Sequence, residues 1–139
     1  MSREYGYAFR GEKVFSRKLG KKYKRTNIVA GKQGKKIISP LEYDFTMDST
    51  FFEFWFEKCL LPCLEKGTTI VMDNAKFHRK NQLFKISEKF EMNLIFLPSY
   101  SPELNPIEKF WAYLKSYIKN NIHLFPSLDD AIFSFFQVF

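Results

Sequence analysis

Cysteine and histidine are scarce: the 139 residues hold 2 of each, Cys59 and Cys63, His78 and His123. A zinc site would need further ligands at short regular spacings, and a redox pair favours two intervening residues rather than the three found here. Cys59 and Cys63 lie four apart in an apolar stretch, the spacing of two neighbours on one buried helical face. Long hydrophobic runs are also missing, since Leu60 to Leu64 and Leu94 to Pro98 fall far short of the roughly 20 residues that span a bilayer. Met1-Ser2-Arg3-Glu4-Tyr5 has neither the basic start nor the apolar core of a secretory signal, so a cytoplasmic location with no membrane partner is expected. No repeat, low-complexity tract or linker divides the chain, which reads as a single domain over residues 1–139.

What is abundant is aromatic and apolar. Hydrophobic residues make up 45% and aromatics 19%, with 17 phenylalanines, and this excludes disorder. A chain of this length buries about two thirds of its unfolded surface, enough for a core without disulfides or structural metal. The formal net charge of +7 is unevenly spread. Residues 1–39 hold 12 Lys/Arg against 2 Glu, whereas residues 40–139 hold 10 against 13 Asp/Glu. The dense block is Arg17, Lys18, Lys21, Lys22, Lys24 and Arg25, with Tyr23 among the charges, followed by Lys32, Lys35 and Lys36. Such a block can neutralise nucleic-acid phosphates and release their counterions, or it can be a solvated hairpin that keeps the protein soluble.

Hydrophobic patterning predicts a hairpin from Thr26–Gly31 and Lys36–Tyr43 around Gly31-Lys32-Gln33-Gly34. A helix follows over Phe51–Lys66, with Thr50 and Glu53 as a capping box, Pro62 shortening or kinking it and Gly67 ending it. Thr68–Met72 and Asn93–Leu97 read as buried strands, with a helix over Lys76–Glu91 between them. Asn105 as N-cap and Pro106 as first helical residue open a helix that runs to about Lys119, and Ser127 caps a last helix over Leu128–Val138. This order argues for a three-layer α/β sheet.

Asp73 follows the first apolar strand, at the end where open α/β sheets place their ligands, and Glu108 lies in the first turn of a later helix with 34 residues between them. Singly, each could be a loop cap or a favourable charge near a helix N-terminus. Two carboxylates converging on one sheet edge can instead hold divalent metal ions for phosphodiester cleavage, although a two-metal site generally uses a third.

The strings Val71-Met72-Asp73-Asn74-Ala75-Lys76-Phe77-His78 and Leu97-Pro98-Ser99-Tyr100-Ser101-Pro102-Glu103-Leu104-Asn105-Pro106-Ile107-Glu108-Lys109-Phe110-Trp111 resemble the catalytic domain of DDE transposases. The match is to the bacterial insertion-sequence branch of the mariner superfamily, where the second Asp and the final Glu are likewise 34 residues apart. Tyr5-Gly6-Tyr7-Ala8-Phe9-Arg10-Gly11 is similar to the Tyr-Gly-Trp-Ala-Pro-x-Gly segment beyond the family's first catalytic strand, so the resemblance covers essentially the whole chain. It implies an RNase H-like, integrase-like mixed sheet that cuts transposon ends and joins them to target DNA with two Mg²⁺ or Mn²⁺ ions. By the same resemblance Asp73 is the second acidic ligand and Glu108 the third. Asn74 and His78 shape the site or touch DNA, Tyr100, Asn105 and Pro106 fix the turn that aims Glu108, and Trp111 packs in the core. The setting implied is the bacterial nucleoid.

The family's first catalytic Asp precedes the Tyr-Gly-Trp-like segment, which here starts at Tyr5. The first central strand and its Asp are therefore expected to be absent, as is the helix-turn-helix region that recognises transposon ends, leaving an incomplete or inactive product of marginal stability. Asp44 and Asp48 are the nearby aspartates that could substitute, but they fall after the hairpin. A non-catalytic DNA-binding remnant acting through the basic N-terminal segment is the alternative. A third reading is a module that pairs with itself or with a full-length transposase through its unfilled sheet.

Overall fold

The computed structural model describes residues 5–14, 17–18, 21–22, 26–99 and 101–138. β1 (Tyr5–Val14) is followed by the small hairpin β2 (Arg17–Lys18) and β3 (Lys21–Lys22), and then by the long hairpin β4 (Thr26–Gln33) and β5 (Lys36–Tyr43). After α1 (Ser49–Trp55) come β6 (Thr69–Met72), α2 (Lys80–Lys89), β7 (Asn93–Phe96), α3 (Ile107–Asn121) and α4 (Leu128–Val138). Five strands form one sheet in the order β5-β4-β1-β6-β7. β1 runs antiparallel to β4 and parallel to β6, and β7 extends the parallel half. No helix among the described residues is long and apolar enough to cross a membrane.

The mixed sheet is the expected one, with one correction: its central position is filled. Tyr5–Gly11, placed by resemblance beyond the central strand, lies within Tyr5–Val14, the strand that itself pairs on both sides. A vacant centre would strand two rows of backbone donors and acceptors, and a ten-residue stretch containing Tyr5, Tyr7, Phe9 and Val14 satisfies them. The sheet therefore offers no central vacancy for a partner strand. Its remaining edges are β5 and β7.

Alternation along β4 separates the layers. Ile28 and Ala30 pack with Ile107, Trp111 and Leu114 of α3 and Ile132 and Phe135 of α4. Val29, one residue out of phase, joins Ile70 and Met72 of β6, Phe52 and Trp55 of α1 and Leu83 of α2. Trp111 packs in the core as expected, 1% exposed. β7 is less buried than its apolar sequence suggests, with Ile95 50% exposed, because it is an edge strand.

The helix expected over Phe51–Lys66 is shorter and starts earlier. Asp48 rather than Thr50 is the cap, its Oδ1 accepting the Phe51 N–H at 2.8 Å. α1 gives way to a π-helical turn (Phe56–Leu60) and a 3₁₀ turn (Leu61–Cys63), because Pro62 has no N–H to continue the α ladder. The freed Cys59 carbonyl accepts the Ser39 hydroxyl at 2.6 Å and the Cys63 thiol at 3.3 Å. Cys63 is exposed rather than sharing a buried face with half-buried Cys59, and both are free thiols. Ser39, with φ +52°, sits at an irregularity in the β4–β5 ladder, and its carbonyl accepts the Trp55 indole N–H at 2.9 Å. The helix expected over Lys76–Glu91 is confined to Lys80–Lys89. Asp48→Ala is expected to cost about 1 kcal/mol in urea unfolding, since it orphans a first-turn donor; an unchanged midpoint would contradict that cap.

Candidate active site at the carboxyl ends of the central strands

β6 and β7 both end at one edge of the sheet, where Leu97 N–H donates to the Met72 carbonyl at 2.8 Å. Asp73 leaves β6 there. Asn74 ties the two strand ends together, its Nδ2 donating to Ser99 Oγ at 3.1 Å. A turn closed by His78 N–H on the Ala75 carbonyl brings the chain back under Asp73. The His78 ring then donates from Nε2 to Asp73 Oδ1 at 2.9 Å.

This pairing is asymmetric in exposure. The His78 side chain is 0% exposed, whereas Asp73 retains 23% and keeps a face open to solvent. His78 is walled by aromatic rings: its centroid is 4.4 Å from Phe52, 4.5 Å from Phe77 and 6.0 Å from Phe96. A ring so held cannot swing away, so Oδ1 of Asp73 is fixed while its other oxygen is left for a ligand. His78 Nδ1 is buried without a hydrogen-bond partner among the described residues. Next in the chain, Arg79 forms a two-pronged pair with Glu53 of α1, Nε to Oε2 at 2.8 Å and a terminal nitrogen to Oε1 at 2.6 Å. That hydrogen bond, and then the Glu53 charge, hold the guanidinium above its ordinary pKa.

α3 packs across β1 on the other face of the sheet. Its first turn carries Glu108, half-buried. Asn105 is 1% exposed and accepts the Ile107 N–H on its Oδ1 at 3.4 Å, while its carbonyl accepts the Glu108 N–H at 3.0 Å. The boundary falls one residue later than expected: Pro106, not Asn105, is the cap position and Ile107 the first helical residue, while Asn105 reaches that residue's N–H from one position upstream. On β1 the pairing with β6 runs to Ala8 opposite Met72, so the residue level with Asp73 is Phe9.

A family model described as DDE superfamily endonuclease matches residues 1–131. The chain belongs to the DDE superfamily endonucleases. A stretch of 64 residues is 34% identical to the uncharacterised protein y4pE/y4sA of Sinorhizobium fredii and spans 45% of this chain and 44% of that protein. Among solved structures, the Mos1 strand transfer complex matches with a TM-score of 0.64 at 13% identity, over 79% of this chain and 40% of that one. The Mos1 transposase catalytic domain with raltegravir and Mg matches at 0.63 and 12% identity, over 97% and 70%. The catalytic core domain of BIV integrase matches at 0.57 and 9% identity, over 94% and 79%. At such identities the likeness concerns the fold, which is RNase H-like, as in transposase and integrase catalytic cores.

In this DDE endonuclease the sequence-derived residues fall into three groups. Asp73, Asn74 and His78 lie in one hydrogen-bonded loop, and Asn105, Pro106 and Glu108 form the start of α3. The His78 side chain has no exposure and its one hydrogen-bond partner among the described residues is Asp73, so of the two roles expected for it, shaping the site or touching DNA, the structure leaves it no surface for the second. Arg17, Lys18, Lys21 and Lys22 lie in the β2–β3 hairpin, with Arg17 opposite Lys22 and Lys18 opposite Lys21. Lys24, Arg25 and Tyr100 fall outside the described residues. Asp44 and Asp48 stay on the β5–α1 connection, and Asp48 is engaged as a helix cap. The residues missed by sequence reasoning are supports: Phe52, Ser99 and the Glu53–Arg79 pair. Their partners lie 25 or 26 residues away, beyond the reach of local pattern.

Proposed function

We propose that this chain is a transposase catalytic domain, in which Asp73 and Glu108 bind a divalent metal ion for DNA cleavage and strand transfer. The observation that carries the reading is the geometry of Asp73 at the end of β6, one oxygen held by a buried histidine and the rest of the carboxylate open. Family membership and the Mos1 structures that hold Mg or Mn support a Mg²⁺ or Mn²⁺ requirement. The donor set fits such ions by type, since hard cations take carboxylate oxygens. Among the described residues, however, no group of three or more His, Cys, Asp or Glu side chains is gathered to hold a metal. Asp73 and Glu108 are thus two of the carboxylates the chemistry uses. A bound ion supplies Lewis acidity at a phosphodiester oxygen and lowers the pKa of an attacking water.

With Phe9 level with Asp73 on β1, these 139 residues alone are expected to cut DNA weakly or not at all. Any nicking of supercoiled plasmid that they support in Mn²⁺ should vanish in both Asp73→Ala and Glu108→Ala. Nicking that survives either substitution would refute the reading.

The β2–β3 register favours a second reading, nucleic-acid binding without catalysis through the basic segment. The backbone ladder sets Arg17 against Lys22 and Lys18 against Lys21, which gathers four cationic residues in one short segment that a polyanion can neutralise. This reading expects gel-shift affinity that falls steeply with salt and is indifferent to Asp73→Ala; a salt-insensitive shift would remove it. DNA is the partner in both cases. Pairing with a second copy or a full-length transposase would have to use the β5 or β7 edge or a helical face.

A further inference from the structure

The metal chemistry leaves unused an aromatic cluster on the same side of the molecule as Asp73. Tyr43 at the end of β5, Phe45 on the following connection and Phe51 of α1 contact one another with centroids 4.8–5.6 Å apart, and Phe54 extends the group 6.4 Å from Phe51. Phe45 is 47% exposed and Phe54 53%, although nothing in the folding of α1 requires rings on its outer face. The two sides of this helix divide the work. Phe52 and Glu53 turn inward to His78 and Arg79, beside Asp73, while Phe54 lies on the outer face and Phe51, half-buried against the core, joins it to Phe45.

Strand directions put the basic residues at the same edge. β1 is parallel to β6, so its Val14 end lies on the side where β6 delivers Asp73. Val14 pairs with Thr26 at the start of β4, and Asn27 pairs with Tyr43 at the end of β5. The connection between Val14 and Thr26 carries the β2–β3 hairpin with Arg17, Lys18, Lys21 and Lys22, so these cations issue from the sheet edge that the aromatic cluster adjoins. Exposed rings next to a cationic segment are the two elements by which proteins hold single strands, stacking for bases and charge for phosphates.

We infer that Phe45, Phe51 and Phe54 form a stacking platform for unpaired nucleotides of single-stranded DNA at the catalytic edge, with the β2–β3 hairpin following the phosphates. The inference rests on the DNA-processing reading above and adds which form of DNA this surface takes. A second copy of the chain is the competing occupant. The cationic hairpin at the same edge favours a polyanion over a surface that would bring the same positive charge.

The test is fluorescence anisotropy with a labelled oligothymidylate of about 12 nucleotides, compared with a duplex of equal length, alongside sedimentation of the protein alone. The double variant Phe45→Ala/Phe54→Ala is expected to weaken single-strand binding roughly 10- to 100-fold, with duplex binding unchanged. Phe45→Leu/Phe54→Leu, which keeps apolar bulk and removes the ring faces, should lose a similar factor and guards against a folding defect in the alanine variant. Equal loss on both DNA forms, no loss on either, or rescue by leucine would overturn the platform. So would a dimer that dissociates in the variants while single-strand affinity is kept. Wild-type protein that binds duplex but not the oligothymidylate would overturn the platform alone, and wild type that binds neither would overturn the DNA reading with it.

Discussion

Phe52→Ala is expected to remove about 3–5 kcal/mol of folding stability, the usual cost of deleting a fully buried phenylalanine. Its side chain is 1% exposed and touches Trp55, Phe56, Phe77 and His78, so no neighbour is free to collapse into the void. Against a typical domain margin of about 5–15 kcal/mol this is a large fraction. Phe52→Leu, which keeps most of the apolar volume, should cost clearly less. Urea unfolding monitored by circular dichroism separates the two. A loss below about 1 kcal/mol in Phe52→Ala would contradict the packing described here. Because Phe52 also braces His78, the alanine variant should loosen Asp73 even where it stays folded.

His78→Phe should do the opposite, keeping the fold and damaging the site. A phenyl ring can pack against Phe52, Phe77 and Phe96 as the imidazole does, and it removes a buried Nδ1 that has no partner among the described residues. Asp73 remains partly exposed, so solvent can replace the lost hydrogen bond and the stability change should be small. Metal affinity is another matter, since losing the group that orients a ligating carboxylate typically costs about 10- to 100-fold. A Mn²⁺ titration of His78→Phe should show a drop of that order with a near-wild-type unfolding curve. Unchanged Mn²⁺ affinity would mean that the His78–Asp73 bond serves folding rather than the site.

The parts of this molecule that sequence reading captured are those set by local chemistry. Ser127 caps the last helix as expected, with Asp130 N–H donating to its Oγ at 3.1 Å. Asp73 falls at a strand end because an apolar run stops there, and Glu108 opens α3 because Asn105 and Pro106 form its start. What was not legible depended on distant pairing. The resemblance sets Tyr5–Gly11 beyond the central strand, and only the pairing of Tyr5–Val14 with both β4 and β6 shows that it is the central strand itself. The Phe51–Lys66 periodicity suggested one helix, whereas the Cys59 carbonyl freed near Pro62 is claimed by Ser39, 20 residues upstream. His78 reads as a loop residue, and its burial follows from three rings, one of which belongs to α1.

The central claim is that Asp73 and Glu108 act together as metal ligands. Calorimetric titration of the purified chain with Mn²⁺ tests it most directly, with Asp73→Ala and Glu108→Ala run beside the wild type. The account predicts a binding isotherm in the wild type that is lost or greatly weakened in each variant. An isotherm that neither substitution alters would contradict it.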